Sequence, residues 1–278
     1  MSILYQNEAR MKKRGNNVSP DWAVSETVGF IIIFGIMMSG IALVTLYGYP
    51  ALLDAQENAN IRNMERNMIS LQSDVNALTY KSVPYKETTM QVSGGVLTND
   101  SIISNFMISE GNGNPLITYP VPSKQGTGAL NFTSDQGDIS IALQNGAVVK
   151  WQAGGSVMLS EPRWFIDTTG GTRTMVITLI QVDSSAYHGK SGISSVKMSI
   201  EPLNIHDAAN IIDKHPSDNT VRISITLADK YHRAWKNYFE NTLKMTEVTS
   251  PLPPSPTWER TDIDRIIIKA WKIKIINI

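Results

Sequence analysis

The 278-residue chain contains no cysteine. Zinc–thiolate sites, thiol nucleophiles and disulfide staples are therefore excluded, and an exported domain of this chain must be held together by its own core. Net charge is also missing, because 25 basic and 25 acidic residues cancel. Without a basic excess, nucleic acid is not an expected partner. Only four histidines are present, His188, His206, His215 and His232. His206-Asp207, Asp213 and His215 share one loop-rich stretch, but their spacing matches no metal-binding pattern. The Gly-Gly pairs at 94–95, 154–155 and 170–171 lack a following Lys-Ser or Lys-Thr, which predicts turns rather than phosphate cradles. With no convergent catalytic set, the expectation is a protein that is not an enzyme and uses no cofactor and no metal.

One further absence is local. From Thr27 to Leu53 there is no Asp, Glu, Lys or Arg, and Val28–Val44 is almost wholly apolar. A hydrocarbon layer about 30 Å thick needs roughly 20 apolar residues as a helix, so the run is long enough to span a bilayer. A cleavable secretory signal has a shorter apolar core and a small-residue cut site. Here the run ends in Tyr47-Gly48-Tyr49-Pro50, an aromatic pair suited to the membrane–water interface. A buried core helix is the other reading. Arg10, Lys12, Lys13 and Arg14 precede the run, whereas only Arg62 and Arg66 follow closely. The positive-inside bias then predicts a single-pass protein of the cell membrane, with its N-terminus cytoplasmic and its C-terminal domain outside. Membrane lipid is the first expected partner.

Pro50 is expected to end or kink the span. Beyond it Ile61, Met64, Met68, Leu71, Val75 and Leu78 recur at spacings of three and four, which predicts a helix with one narrow apolar stripe. That stripe needs either the inner face of a sheet or another helix. After Pro84 the period falls to two. Ile139, Ile141 and Leu143 alternate with polar or small residues, and Asn145-Gly146 before Ala147–Trp151 is a strong hairpin signal. A second hairpin is expected around Gly170-Gly171, and Val196–Ile200 and Val221–Leu227 alternate as half-buried antiparallel strands. Leu227, Tyr231, Trp235, Tyr238, Phe239 and Leu243 predict one further amphipathic helix, starting near Asp229 and covering a sheet. Pro251–Pro256 is an extended loop, and the last strand slips phase near Lys269-Ala270, as a bulge or a change of buried face would make it do. Sequons at Asn17, Asn99 and Asn131 are potential glycan sites.

The expected fold is α+β: a long N-terminal membrane helix continuing into an amphipathic helix packed on an antiparallel β-sandwich. The divisions are 1–22, a cytoplasmic basic leader; 23–49, the spanning helix; 50–82, an amphipathic stalk; and 83–278, the sandwich outside the membrane.

The segment Ala23-Val24-Ser25-Glu26-Thr27-Val28-Gly29-Phe30, leading into Ile31–Phe34, resembles the N-terminus of archaeal type IV pilins and archaellin-like proteins. Lys12, Lys13, Arg14 and Gly15 resemble the basic leader that a prepilin peptidase removes, and the similarity covers roughly residues 10–95. The resemblance implies an apolar helix that packs with those of other pilin-like subunits into a filament core, with the sandwich outward. It also implies that Glu26 engages a neighbouring subunit, with Ala23, Val24, Ser25, Val28, Gly29 and Phe30 around it. Two departures stand out: many of these pilins have Pro where Glu26 lies, and Gly15 is far from the apolar run. Two functions follow as expectations: a structural or adhesive surface subunit, or a single-pass protein that never assembles and whose sandwich binds a surface partner or polymer.

Overall fold

A computed structural model describes residues 21–81, 83–100, 104–119, 127–184, 189–205, 210–227, 229–248 and 256–278. Two compact units emerge, Met1–Gln56 and Glu57–Ile278. Their boundary falls inside the stretch read from sequence as a separate stalk.

Helix α1 covers Asp21–Leu43 and α2 covers Tyr49–Tyr80, with a π-turn over Val44–Gly48 between them. Pro50 does not end the helical run, the first of the two outcomes expected of it, and the reason is local. In a regular helix its ring would strike the carbonyl four residues back, that of Leu46. Leu46 belongs to the π-turn, where the Tyr49 N–H reaches five residues back to the Val44 carbonyl. The widened turn makes room for the ring.

The second unit is built from strands in two sheets. The larger contains β1 (Tyr85–Asp100), β4 (Ala129–Ser134), β5 (Ile139–Gln144), β6 (Ala147–Gln152), β7 (Gly155–Ser160), β8 (Phe165–Asp167), β9 (Thr174–Ser184), β10 (Gly189–Pro202), β11 (Ile211–Lys214) and β15 (Arg265–Asn277). Its order is β7-β6-β5-β4-β1-β10-β15-β9-β8, with β11 also on β15. The smaller, ordered β13-β14-β12-β2-β3, uses β2 (Ser104–Glu110), β3 (Pro115–Tyr119), β12 (Val221–Leu227), β13 (Thr246–Val248) and β14 (Thr257–Arg260). Pairing is antiparallel except between β9 and β15, which run parallel from Thr174↔Arg265 to Ser184↔Ile275. The fold class is thus α+β with a mostly antiparallel sheet.

Local chemistry explains the turns. Asn145 and Gly146 both take positive φ, 46° and 74°, the two left-handed positions of a type I′ turn, and Gln144 pairs with Ala147 across it. Gly94-Gly95, expected as a turn, instead lies inside β1, where the register with β10 shifts between Val92 and Leu97. A Cβ on Gly95 would stand 2.3 Å from the Thr133 carbonyl oxygen, so the strand approaches its neighbour closer than any side chain permits.

The phase slip in β15 is a change of buried face. Ile266, Ile268 and Ala270 enter one core, and Ile273 and Ile275 enter the other, while the register with β9 runs on unbroken. Strand β9 does the same, with Met175, Ile177 and Leu179 in the first core and Ile180 and Val182 in the second. The first core lies between the two sheets; the second lies between the larger sheet and α2. Strands in the overlap are buried on both sides, and β5 is buried along its whole length.

The expected further helix is there but broken into a 3₁₀ turn (Asp229–Tyr231), α3 (His232–Asn237) and a π-turn (Tyr238–Thr242). Leu227 does not join it: it ends β12, paired with Ser104. Tyr231, Trp235, Tyr238, Phe239 and Leu243 are all buried in the core between the sheets. Pro251–Ser255 lie outside the described residues.

Candidate functional site

The first unit carries the most unusual surface of the chain. From Phe30 to Gln56 every residue is exposed, including Phe30 at 70%, Ile36 at 67% and Leu46 at 68%. A side chain of that size recovers about 1.5–3 kcal/mol when removed from water. An apolar cylinder of this length is costly to leave in water. Among the described residues this is the one helix long and apolar enough to cross a membrane, and it lies near the N-terminus.

Its few polar groups are suited to such surroundings. The Ser39 hydroxyl donates to the Gly35 carbonyl at 2.7 Å and the Thr45 hydroxyl to the Ile41 carbonyl at 2.9 Å. Back-bonding of this kind leaves no hydroxyl proton seeking water. Phe30 and Phe34 stack with ring centroids 6.2 Å apart. Glu26 is exposed near the helix start, with Val28 and Phe30 exposed beside it and Gly29 half-exposed. Ala23, Val24 and Ser25 are helical residues of α1. Lys12, Lys13, Arg14 and Gly15 lie outside the described residues.

In the second unit, the stripe of α2 packs on the larger sheet. Ile61, Met64, Met68, Leu71, Val75 and Leu78 are buried against Met90, Val92, Leu130, Phe132, Ile141, Val196, Ile273 and other residues of the larger sheet. Polar contacts fix the register of this seam. The Gln72 amide, buried, donates to the carbonyls of Gly146 and Glu161 at 2.7 and 2.9 Å. Lys150 pairs with Glu65 at 2.8 Å, and Asp74 takes Lys86 at 3.2 Å and the Thr88 hydroxyl at 2.5 Å. Apolar spacing alone does not reveal Gln72; its place one residue after Leu71 is what brings it to the hairpin.

Asp213 is held by Arg265 through two hydrogen bonds, which keep its carboxyl below the usual range. His215 hydrogen-bonds the Asp264 carbonyl at 2.8 Å, and His232 lies against the Trp258 ring. Among the described residues no three His, Asp or Glu side chains come together to hold a metal; His188, His206 and Asp207 lie outside them. Phe106, Trp164, Trp235, Phe239 and Trp258 pack ring to ring at 5.0–6.2 Å as core rather than as a ligand face. Burial raises the Tyr238 phenol well above its usual range, and its hydroxyl donates to the Trp164 carbonyl.

One polar network escaped sequence reasoning. The Asn131 amide oxygen accepts from the Ser140 hydroxyl at 2.8 Å and the Tyr231 hydroxyl at 3.1 Å, and Lys230 donates to Ser140 at 3.2 Å. Lys230 also lies over the Tyr231 ring, 5.0 Å from its centroid. With Ser140 1% exposed, the network clamps the Asp229–Tyr231 turn to the larger sheet. Asn131 had been marked by its sequon, but its buried amide has no room for a glycan; Asn99 is buried as well.

Compared with known proteins, residues 23–274 match a family described as "Family of unknown function (DUF7289)". The chain belongs to this family. The matched range starts at Ala23, so the family's common sequence takes in the apolar helix as well as both sheets. An "Uncharacterized protein" of Archaeoglobus fulgidus is 26% identical over 87 residues, 31% of this chain. That match covers 28% of the relative's own length. No solved structure matches the chain.

Proposed function

We propose that this DUF7289 protein is a cell-surface subunit held in the membrane by its N-terminal helix, with that helix packing against those of other copies in a pilin-like assembly. The single observation that carries the proposal is the uncovered apolar surface from Phe30 to Leu53. Lipid covers it before assembly, and neighbouring helices cover it afterwards. The resemblance of Ala23–Phe30 to archaeal pilin N-termini supports this reading, as does the placement of Glu26. A carboxylate at the edge of hydrocarbon is costly unless paired, and the amine of a neighbouring, processed subunit would pair it. The basic residues before the helix favour a cytoplasmic N-terminus and a β-domain outside the cell. The role is structural or adhesive, and the proposal assigns no catalysis.

The test is the N-terminus of protein isolated from its native membrane, read by intact mass and terminal peptide sequencing. A new terminus between Gly15 and Ala23 is the expected result and implicates a prepilin peptidase. An intact basic leader would overturn the assembly and leave the second reading, a permanent single-pass anchor whose β-domain binds a surface partner or polymer. That second reading draws on the two cores of the β-domain, each built from many buried residues of the chain itself.

A further inference from the structure

Asparagine is a poor residue for a helix interior, because its short amide competes for backbone hydrogen bonds. Yet α2 carries Asn60, Asn63 and Asn67 within its middle turns, and spacings of three and four put them on one face. Asn67 and Asn60 gain contacts across to β1, whereas Asn63 is exposed, and a local rule broken without compensation is expected where something besides folding is served. Here the three amides line a groove of about 400 Å³ between α2 and β1, together with Arg66, Thr89, Gln91 and Ser93.

The groove is built, not incidental. Gly94 and Gly95 shift β1 out of register beside it, and Gly94 takes φ +71°, with Asn60 so close that a Cβ would stand 3.2 Å from its amide nitrogen. Asn67 is fixed by donating to the Gln91 carbonyl at 3.2 Å. The side chains of Asn60, Asn63 and Arg66 make no hydrogen bond or ion pair with any described residue, so their donors and acceptors are available to a ligand. No carboxylate lines the groove, and Arg66 supplies its one charge.

We infer that this groove binds an acidic sugar, a uronate unit of a surface polysaccharide. Side-chain amides, each both donor and acceptor, match the paired hydroxyls of a pyranose ring. The Arg66 fork matches a single carboxylate bidentately. A bare anion would leave the amides unused, and a neutral sugar would leave Arg66 unused. The site belongs to the second unit alone and does not depend on assembly.

The test uses the full chain in lipid nanodiscs, titrated with trigalacturonate and, in parallel, with neutral maltotriose, by calorimetry and saturation-transfer NMR. Trigalacturonate is expected to bind and maltotriose to bind at least about tenfold more weakly. Arg66→Gln and Asn63→Ala should each lower trigalacturonate affinity by about tenfold. Asn63→Ala should leave the melting temperature unchanged or raise it, since alanine is the better helix residue, which separates lost binding from lost folding. Absence of trigalacturonate binding at millimolar concentration overturns the site. Binding that both variants retain places the sugar elsewhere and overturns it too. Equal binding of maltotriose, with Arg66→Gln silent, overturns the assignment to acidic sugars.

Discussion

Leu46 and Leu71 are both helical leucines, 68% and 0% exposed. The first belongs to the Met1–Gln56 unit, whose helix is apolar on every side; the second belongs to the Glu57–Ile278 unit, whose helix is apolar on one stripe and packs that stripe on the ten-stranded sheet. The difference lies in where each helix finds its apolar solvent. A one-sided stripe can be satisfied by the chain's own sheet, and here it is. A cylinder greasy all round has no single stripe to match to a sheet, and it is long and apolar enough to cross a membrane. Removing, transplanting or recharging residues in either unit should therefore have opposite consequences.

The largest expected effect comes from removing residues 1–56. The remaining chain should leave the membrane fraction for the soluble one and keep a cooperative thermal transition, followed by ultracentrifugation and circular dichroism. An aggregated or unfolded product would show that the two units are not separable. Next in size is a matched pair of leucine truncations. Leu71→Ala should cost about 3 kcal/mol in denaturant unfolding, by lost burial and the cavity left behind. Leu46→Ala should leave that same transition within about 0.5 kcal/mol. Comparable losses would erase the distinction between the units.

A smaller loss is expected at the polar pin of the seam. Gln72→Ala strands the Gly146 and Glu161 carbonyls that it now satisfies, at a cost of about 1–3 kcal/mol. Chemical denaturation reads it directly, and a neutral result would mean that water replaces the amide.

The smallest effect is electrostatic. Asp213, about 43% exposed, is held below its ordinary value first by hydrogen bonding from Arg265. A depressed folded-state carboxyl contributes stability above the unfolded value, near pH 3.9, and loses it as pH falls through the folded value. Solvent screening keeps the contribution small. Arg265→Gln should therefore lower the melting temperature slightly at neutral pH, and the variant and parent profiles should converge as pH falls below about 4 and through the folded value.

Much of this architecture was legible because it obeys a short period. The α2 stripe, the Asn145-Gly146 hairpin and the alternation of β12 each repeat at three-four or two residues, and each is found where its period places it. What escaped shares one cause: contact with distant parts of the chain. Strand β5 is buried on both faces, so its alternation separates two cores rather than core from water. The parallel pairing of β9 with β15 joins segments some ninety residues apart with no local signature. Leu227 fits the helical spacing, but its ladder to Ser104 holds it in β12. The Asn60–Asn67 groove was visible only as poor helix residues, and its meaning required Gly94-Gly95 to be brought beside them.

The central claim is that other copies cover the apolar helix. Because the chain lacks cysteine, a single Ile33→Cys substitution places one thiol in that surface, and oxidative cross-linking in native membranes reads its neighbours. The account predicts disulfide-linked dimers from Ile33→Cys and none from a control thiol at the buried Leu71. An Ile33→Cys protein that remains monomeric under the same oxidation would contradict it.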